Sequence, residues 1–318
     1  MNPPTFSDVL FARRQIRPYL ARTPLYSYPA VNELIGTEVF IKHENYLPVG
    51  AFKVRGGINL VSQLSADERA RGVIAASTGN HGQSIGFAAR QYDVAAAVVV
   101  PLGNSTGKNA AMRALGVEVI EKGHDFQAAA EFADEIAKER GWHRYPSFHP
   151  WLVRGVGTYA LELFKAVPDI DTVYVPVGLA SGLCGVIAAR DALGRRARVV
   201  AVVSAGAPAF ALSYERGEPV SHEVTTTIAD GMACRTPDAS ALAIARRGVE
   251  RVVQVTDDEV KSAMRALFSD THNVAEGAGA AALAALLQDK QSMRGRTAAI
   301  VLTGGNVDSG VYAKVITA

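Results

Sequence analysis

The sequence predicts an α/β protein built on mostly parallel sheet, and three observations carry that prediction. Short β-branched runs alternate with Ala-rich stretches of helical length. The runs are apolar throughout instead of alternating, as expected when both faces of a sheet are covered. Several runs end in turns rich in Gly, Ser and Thr, the place where open α/β sheets bind ligands.

The candidate strands, in order, are 73–76, 95–100, 117–120, 172–177, 199–204, 251–255 and 298–302. The segments between them read as helices over 83–90, 108–115, 125–140, 157–165, 185–193, 257–268 and 276–288. Thr256 followed by Asp257, Asp258 and Glu259 is an N-cap with an acidic first turn, which fixes the start of one helix. No repeat or low-complexity linker divides the chain. The stretch 141–150, with aromatics, Pro and two His, is the best candidate break.

Composition narrows the class. Apolar residues make up 48% and charged residues 20% of 318, which excludes a disordered chain. A net charge of +2 gives no reason to expect a nucleic-acid or membrane-surface partner. Cys184 and Cys234 form no CxxC pair, so neither a disulfide framework nor a zinc ribbon is expected. The first fifteen residues lack a charged stretch followed by an apolar core, and the longest apolar runs, such as 94–101, fall far short of a membrane span. A cytoplasmic protein is expected.

The chemistry concentrates in three places. Lys53 lies in Gly50-Ala51-Phe52-Lys53-Val54-Arg55-Gly56. A lysine held among apolar groups has a lowered pKa and acts as a nucleophilic amine; the bland alternative is a snorkelling surface lysine. The stretch 178–185 follows a strand and opens a helix, a place suited to phosphate, but its spacing is neither G-x-G-x-x-G nor a P-loop. A tight turn with packing glycines explains it equally well, and Cys184 within it reads as a packed residue. Asn80 and His81 lie in a turn after a strand, where Asn either serves the turn or bonds a ligand oxygen. The remaining histidines have no metal-ligand spacing.

Taken together, these segments resemble the fold-type II pyridoxal-phosphate enzymes, specifically the threonine dehydratase and serine racemase family. The lysine motif matches at 51–56, the S-x-G-N-H-[AG]-Q motif at 77–83, the phosphate loop at 178–185, and the S-G-G-N motif as Thr303-Gly304-Gly305-Asn306. Thr227-Ile228-Ala229-Asp230-Gly231 and the stretch 155–162 match as well. The resemblance implies two doubly wound open sheets: a large cofactor domain of 1–71 and 150–318, and a smaller inserted domain of 72–149. It implies pyridoxal 5'-phosphate as cofactor, held by Lys53 through a Schiff base. Asn80 would bond its phenolic oxygen, Gly178, Leu179, Ala180, Ser181 and Gly182 its phosphate, and Thr303 its pyridine nitrogen. Ser77, Thr78 and His81 would bind the carboxylate of a small amino-acid substrate. Glu276 matches the family's Glu-Pro region, with a first-turn helix acid as its plainer reading.

Four departures from the family pattern matter. Leu179 and Ala180 interrupt a loop that is usually four glycines. Thr78 stands where the racemases carry serine and the dehydratases alanine. Ser204 and Phe210 occupy positions that are acidic in the racemases' divalent-cation site, so no metal is expected. Arg154 and Val156 replace small and amide residues; the stretch 147–155 and the phosphate loop look closer to the hydroxyectoine-utilisation and phenylserine dehydratase branches.

The implied reaction is β-elimination of water from a β-hydroxy amino acid, giving a 2-oxo acid and ammonia. Lys53 would remove the Cα proton. A neutral Thr303 hydroxyl beside the pyridine nitrogen would favour loss of the β-substituent over reprotonation. Racemisation is an alternative within that chemistry. From other classes, a nucleotide-binding oxidoreductase explains the parallel strands and glycine turns but lacks its fingerprint, and a non-catalytic amino-acid- or phosphate-binding module leaves Lys53 unexplained. A homodimer is expected, since dimers are common in the family and among enzymes generally.

Overall fold

The computed structural model describes residues 3–318 and contains two sheets. Ten strands follow in chain order: β1 (Leu25–Ser27), β2 (Glu38–His43), β3 (Val73–Ala76), β4 (Ala96–Val100), β5 (Glu118–Glu121), β6 (His143–Tyr145), β7 (Thr172–Pro176), β8 (Arg198–Ser204), β9 (Arg251–Val255) and β10 (Thr297–Leu302). The six-stranded sheet has the order β1-β2-β10-β7-β8-β9, and the four-stranded sheet β5-β4-β3-β6. Every pairing is parallel except β1 with β2. Among the described residues no helix is long and apolar enough to cross a membrane.

The seven strands expected from the sequence are present within one residue at either end. Three were not legible: β1 and β6 are three residues long, and β2 carries Glu38, Lys42 and His43 in six residues. β6 lies inside the stretch expected to be a break. β3 and β4 are buried along their whole length, but β5 and β9 are not. Both are edge strands, and an edge is covered less completely than a centre.

Helices cover both faces of the large sheet. The Ala-rich helix Gly277–Asp289 is buried along most of its length and packs with Asp257–Thr271 against one face. Pro150–Ala166 and Ser181–Ala192 cover the other. The helix Lys53–Ser62 gives its apolar side, Val54, Ile58 and Val61, to the core of the small sheet, against Ile85, Val98 and Leu152. It touches Pro150–Ala166 so closely that a Cβ on Gly155 would stand 2.4 Å from the Arg55 carbonyl oxygen. The lysine-bearing helix therefore lies wedged between the two sheets.

Candidate active site

The turns after β3, β7 and β10 open into one cavity of about 570 Å³. All eleven residues expected at the site line it: Lys53, Ser77, Thr78, Asn80, His81, Gly178, Leu179, Ala180, Ser181, Gly182 and Thr303. They come from four separate segments, which the folding of the two sheets brings together.

Lys53 is the first residue of its helix. The Ser84 hydroxyl donates to its carbonyl at 2.7 Å, and its amine lies 5.3 Å from the centre of the Phe52 ring. No hydrogen bond or ion pair holds the amine among the described residues. Burial pushes its pKa below the ordinary lysine value, with the Glu276 carboxylate opposing. The same segment is tied to the end of β10, where the Phe52 N–H donates to the Thr303 carbonyl at 2.9 Å.

Two residues on, Arg55 anchors this helix through a buried ion network. Its guanidinium donates to both oxygens of Glu44 at 2.7 and 3.0 Å and to both oxygens of Glu162 at 2.9 and 3.1 Å. Lys42 donates to Glu162 at 2.7 Å, and the Thr23 hydroxyl to Glu44 at 2.7 Å. Two cations thus face two carboxylates, the arrangement that makes buried charge tolerable.

The helix Ser181–Ala192 begins inside the phosphate-loop sequence, four residues earlier than expected. Its N-cap, Ala180, adopts a left-handed conformation at φ +67° and makes no side-chain cap bond. The first N–H groups of this twelve-residue helix are therefore unpaired and stand at the cavity with the positive end of the helix dipole. Gly178 is required on steric grounds, since a Cβ there would meet the Gly231 carbonyl oxygen at 2.7 Å.

The helix Asn80–Gln91 also starts earlier than expected, so Asn80 and His81 are its first residues and not part of a turn. Asn80 is fixed at both ends: its Nδ2 donates to Glu276 Oε1 at 2.7 Å, and its Oδ1 accepts from Asn306 Nδ2 at 2.8 Å. The Ser77 hydroxyl accepts from the N–H groups of Gly79 and Gly82 at 3.1 and 2.9 Å. His81 Nε2 is buried without a partner. Burial first, then the Lys53 and Arg144 charges, lower its pKa to about 3, so the imidazole is neutral.

The sequence leaves Glu276 as a match to the Glu-Pro region of the family or, more plainly, as a first-turn helix acid. It sits instead at the N-cap position of Gly277–Asp289, makes no cap bond, and turns its carboxyl into the cavity. Burial, reinforced by the Asp230 charge, raises its pKa to about 7 against the opposing pull of Lys108, Asn80 and Lys53. Lys108 and Asp230 line the same cavity and form an ion pair. Asp230 and Asn306 lay within recognised motifs without a role; nothing in the sequence around Lys108 marked it.

The two cysteines are free and buried, with thiols pushed by burial to about 12 for Cys184 and about 11 for Cys234. Ser204, at the end of β8, accepts from the Gly206 N–H at 3.1 Å, and Phe210 is buried in the apolar core. Neither offers a charged ligand to a cation.

An amine that faces the cavity free of hydrogen bonds, an uncapped helix N-terminus and a hydroxyl at the end of β10 are the groups that an aldehyde, a phosphate and a pyridine nitrogen require. The residues present therefore fit pyridoxal 5'-phosphate. Comparison with known proteins agrees. The model of a family described as pyridoxal-phosphate dependent enzyme matches residues 16–304. An L-threonine ammonia-lyase of Thermotoga maritima is 34% identical over 98% of this chain and 78% of its own length. An L-threo-3-hydroxyaspartate ammonia-lyase of Saccharomyces cerevisiae is 33% identical over 100% of this chain and 98% of its own. Among solved structures, maize serine racemase superposes with a TM-score of 0.93 at 28% identity, covering 99% of this chain and 98% of its own. Threonine deaminase isoform 2 from Solanum lycopersicum superposes with a TM-score of 0.91 at 27% identity, over 99% and 94%.

Proposed function

The chain belongs to the family of pyridoxal-phosphate dependent enzymes and is a lyase of hydroxy amino acids, and from that premise we infer how its cavity residues divide the work. One observation carries the assignment of roles: the unpartnered Lys53 amine shares its cavity with the uncapped start of Ser181–Ala192 and with Thr303.

The cofactor, when bound, supplies an electron sink for the pair that proton removal leaves on Cα. Lys53 would hold it covalently, and Gly178, Leu179, Ala180, Ser181 and Gly182 would receive its phosphate on the helix N-terminus. Asn80, whose Nδ2 spends one proton on Glu276, keeps the second for the phenolic oxygen. The Thr303 hydroxyl would face the pyridine nitrogen. Ser77, Thr78 and His81 would seat the substrate carboxylate. Burial lowers the Lys53 pKa, which favours its use as a base, and in the reaction it would take the Cα proton. The β-carbon–oxygen bond would break as the pair left on Cα shifts toward the β-carbon, and the hydroxyl would leave as water with a proton that balances the one Lys53 took up. Hydrolysis then yields the 2-oxo acid and ammonia. The family assignment removes the oxidoreductase alternative.

The substrate side chain belongs to the proposal. The curated relatives act on threonine and 3-hydroxyaspartate by name, and the stretch 147–155 adds 3-phenylserine and a hydroxyectoine breakdown product as candidates. Release of 2-oxo acid from serine, threonine, 3-phenylserine, 3-hydroxyaspartate and that product tests the reading. At least one is expected to react, and silence on all five overturns it. Because Ser204 and Phe210 stand where acids would be needed, turnover is expected to survive a chelator; loss restored by Mg²⁺ contradicts that. The division into 1–71 with 150–318 and 72–149, a homodimer and a cytoplasmic setting complete the proposal, with residues 1 and 2 outside the described residues.

A further inference from the structure

We propose that Lys108 supplies the positive charge that recognises the substrate's α-carboxylate, exchanging Asp230 for it when the substrate binds. This inference rests on the amino-acid lyase reading and adds to it a residue which that reading does not use.

Lys108 lies in the first turn of the helix Thr106–Ala114, on the small-sheet side of the cavity, and its side chain is only 13% exposed. It lies across Gly79: a Cβ built there would meet Lys108 Cδ at 3.0 Å and Nζ at 3.7 Å. Gly79 is the N-cap of Asn80–Gln91 and provides no side-chain cap, so the N–H groups of Asn80 and His81 have no intrahelical acceptor. The ammonium therefore stands over an unpaired, positively polarised helix start.

An independent observation shows that this place is built for a ligand. His81 is 6% exposed, lines the cavity, and its Nε2 has no partner. A buried polar atom left unpaired is costly, and with the imidazole proton on Nε2 a carboxylate oxygen would satisfy it. The Ser77 hydroxyl accepts two backbone N–H groups and still has its own proton to donate. Ser77, His81 and Lys108 line the same cavity.

The other cations of the cavity do not fit the task. Lys53 is committed to the cofactor, and Arg235, with its side chain 65% exposed, stands 3.9 Å from Asp125. Lys108 is a half-buried cation to which the proposed reaction assigns no other task. Its present partner can release it: Asp230 is 49% exposed, and its other oxygen accepts from the Gly231 N–H at 2.9 Å. With Asp230 and Glu276 both lining the cavity, the substrate's carboxylate would meet repulsion there without the Lys108 charge.

The competing account is a strut, with the Lys108–Asp230 pair merely joining the two sides of the cavity. The two accounts differ in sign. A strut is broken equally from either end. If Lys108 binds substrate, removing it and removing its competitor act in opposite directions. In the holoenzyme, Lys108→Met is expected to raise KM at least tenfold with kcat within threefold, the signature of lost uniform binding. Asp230→Asn is expected to lower KM, and Lys108→Arg to recover most of the affinity. Thermal unfolding of each variant checks folding. In parallel, [1-¹³C]propionate, a carboxylate with no amine to react, is titrated into each protein and followed by NMR. Its Kd is expected to rise at least tenfold in Lys108→Met and to fall in Asp230→Asn. Equal weakening in both variants, or unchanged propionate binding in Lys108→Met, overturns the proposal. If the wild type released no 2-oxo acid from any substrate, the lyase reading would fall, and the propionate titration would still decide the role of Lys108.

Discussion

Asn80 donates a 2.7 Å hydrogen bond to Glu276, joining the first residue of one helix to the N-cap of another that lies 196 residues away in sequence. Asn306 bonds the opposite end of the same amide, which fixes which atom of Asn80 points which way. The amide orientation that the proposed cofactor contact needs is therefore set by two residues outside the contact itself.

Glu276 should leave a pH signature. Its folded pKa of about 7 lies above the ordinary 4.5, so the folded state holds the proton more tightly than the unfolded one. Stability of the cofactor-free protein should fall as pH rises from 4.5 to 7 on this account. Glu276→Gln keeps an acceptor for Asn80 and has no proton to lose. Urea unfolding at several pH values should show the variant gaining on the wild type across that window and holding its lead above it. A constant difference would contradict the assigned shift.

Arg55 offers the sharpest stability test. Arg55→Met strands Glu44 and Glu162 in the interior with Lys42 as their remaining cation, and should cost about 3–5 kcal/mol in denaturant unfolding. Burial alone would raise the Glu162 carboxyl, but Arg55 and then Lys42 outweigh it and hold it below 4.5. A lowered carboxyl stabilises above its unfolded pKa. The wild type should therefore lose this increment as pH falls below 4.5, and Arg55→Met should lose much less. A cost under 1 kcal/mol would show that the network is not an anchor.

Ala180 holds a left-handed conformation that a branched side chain resists, and it caps the helix assigned to the phosphate. Ala180→Val should destabilise by about 2 kcal/mol or more and weaken pyridoxal phosphate binding, whereas Ala180→Gly should stay within about 1 kcal/mol of the wild type. Equilibrium dialysis and thermal unfolding measure both. Equal behaviour of the two variants would place the strain elsewhere.

The sequence was most informative where one segment carries its own signal. The buried strands β3, β4, β7, β8 and β10 announce themselves as apolar runs, and the turns after β3, β7 and β10 as clusters of Gly, Ser and Thr. The eleven residues expected at the site come from those turns and from the lysine motif, through the resemblance they carry, and all line one cavity. What stayed hidden depends on partners distant in the chain. β2 is unremarkable until its Lys42, and Glu44 just beyond its end, meet Glu162 and Arg55. Glu276 looks like an ordinary helix-start acid until Asn80 claims it, and Lys108 like a surface lysine until Asp230 and Gly79 enclose it. No local pattern encodes such pairings.

The central claim is that Lys53 is the amine that carries the cofactor. Reduction of the holoenzyme with borohydride, followed by peptide mass spectrometry, tests it most directly. The account predicts a pyridoxyl-phosphate label on Lys53, bleaching of the visible absorbance, and neither in Lys53→Ala, which should keep the fold and lose elimination. A label on any other lysine, or a colourless protein that pyridoxal phosphate leaves colourless, would contradict it.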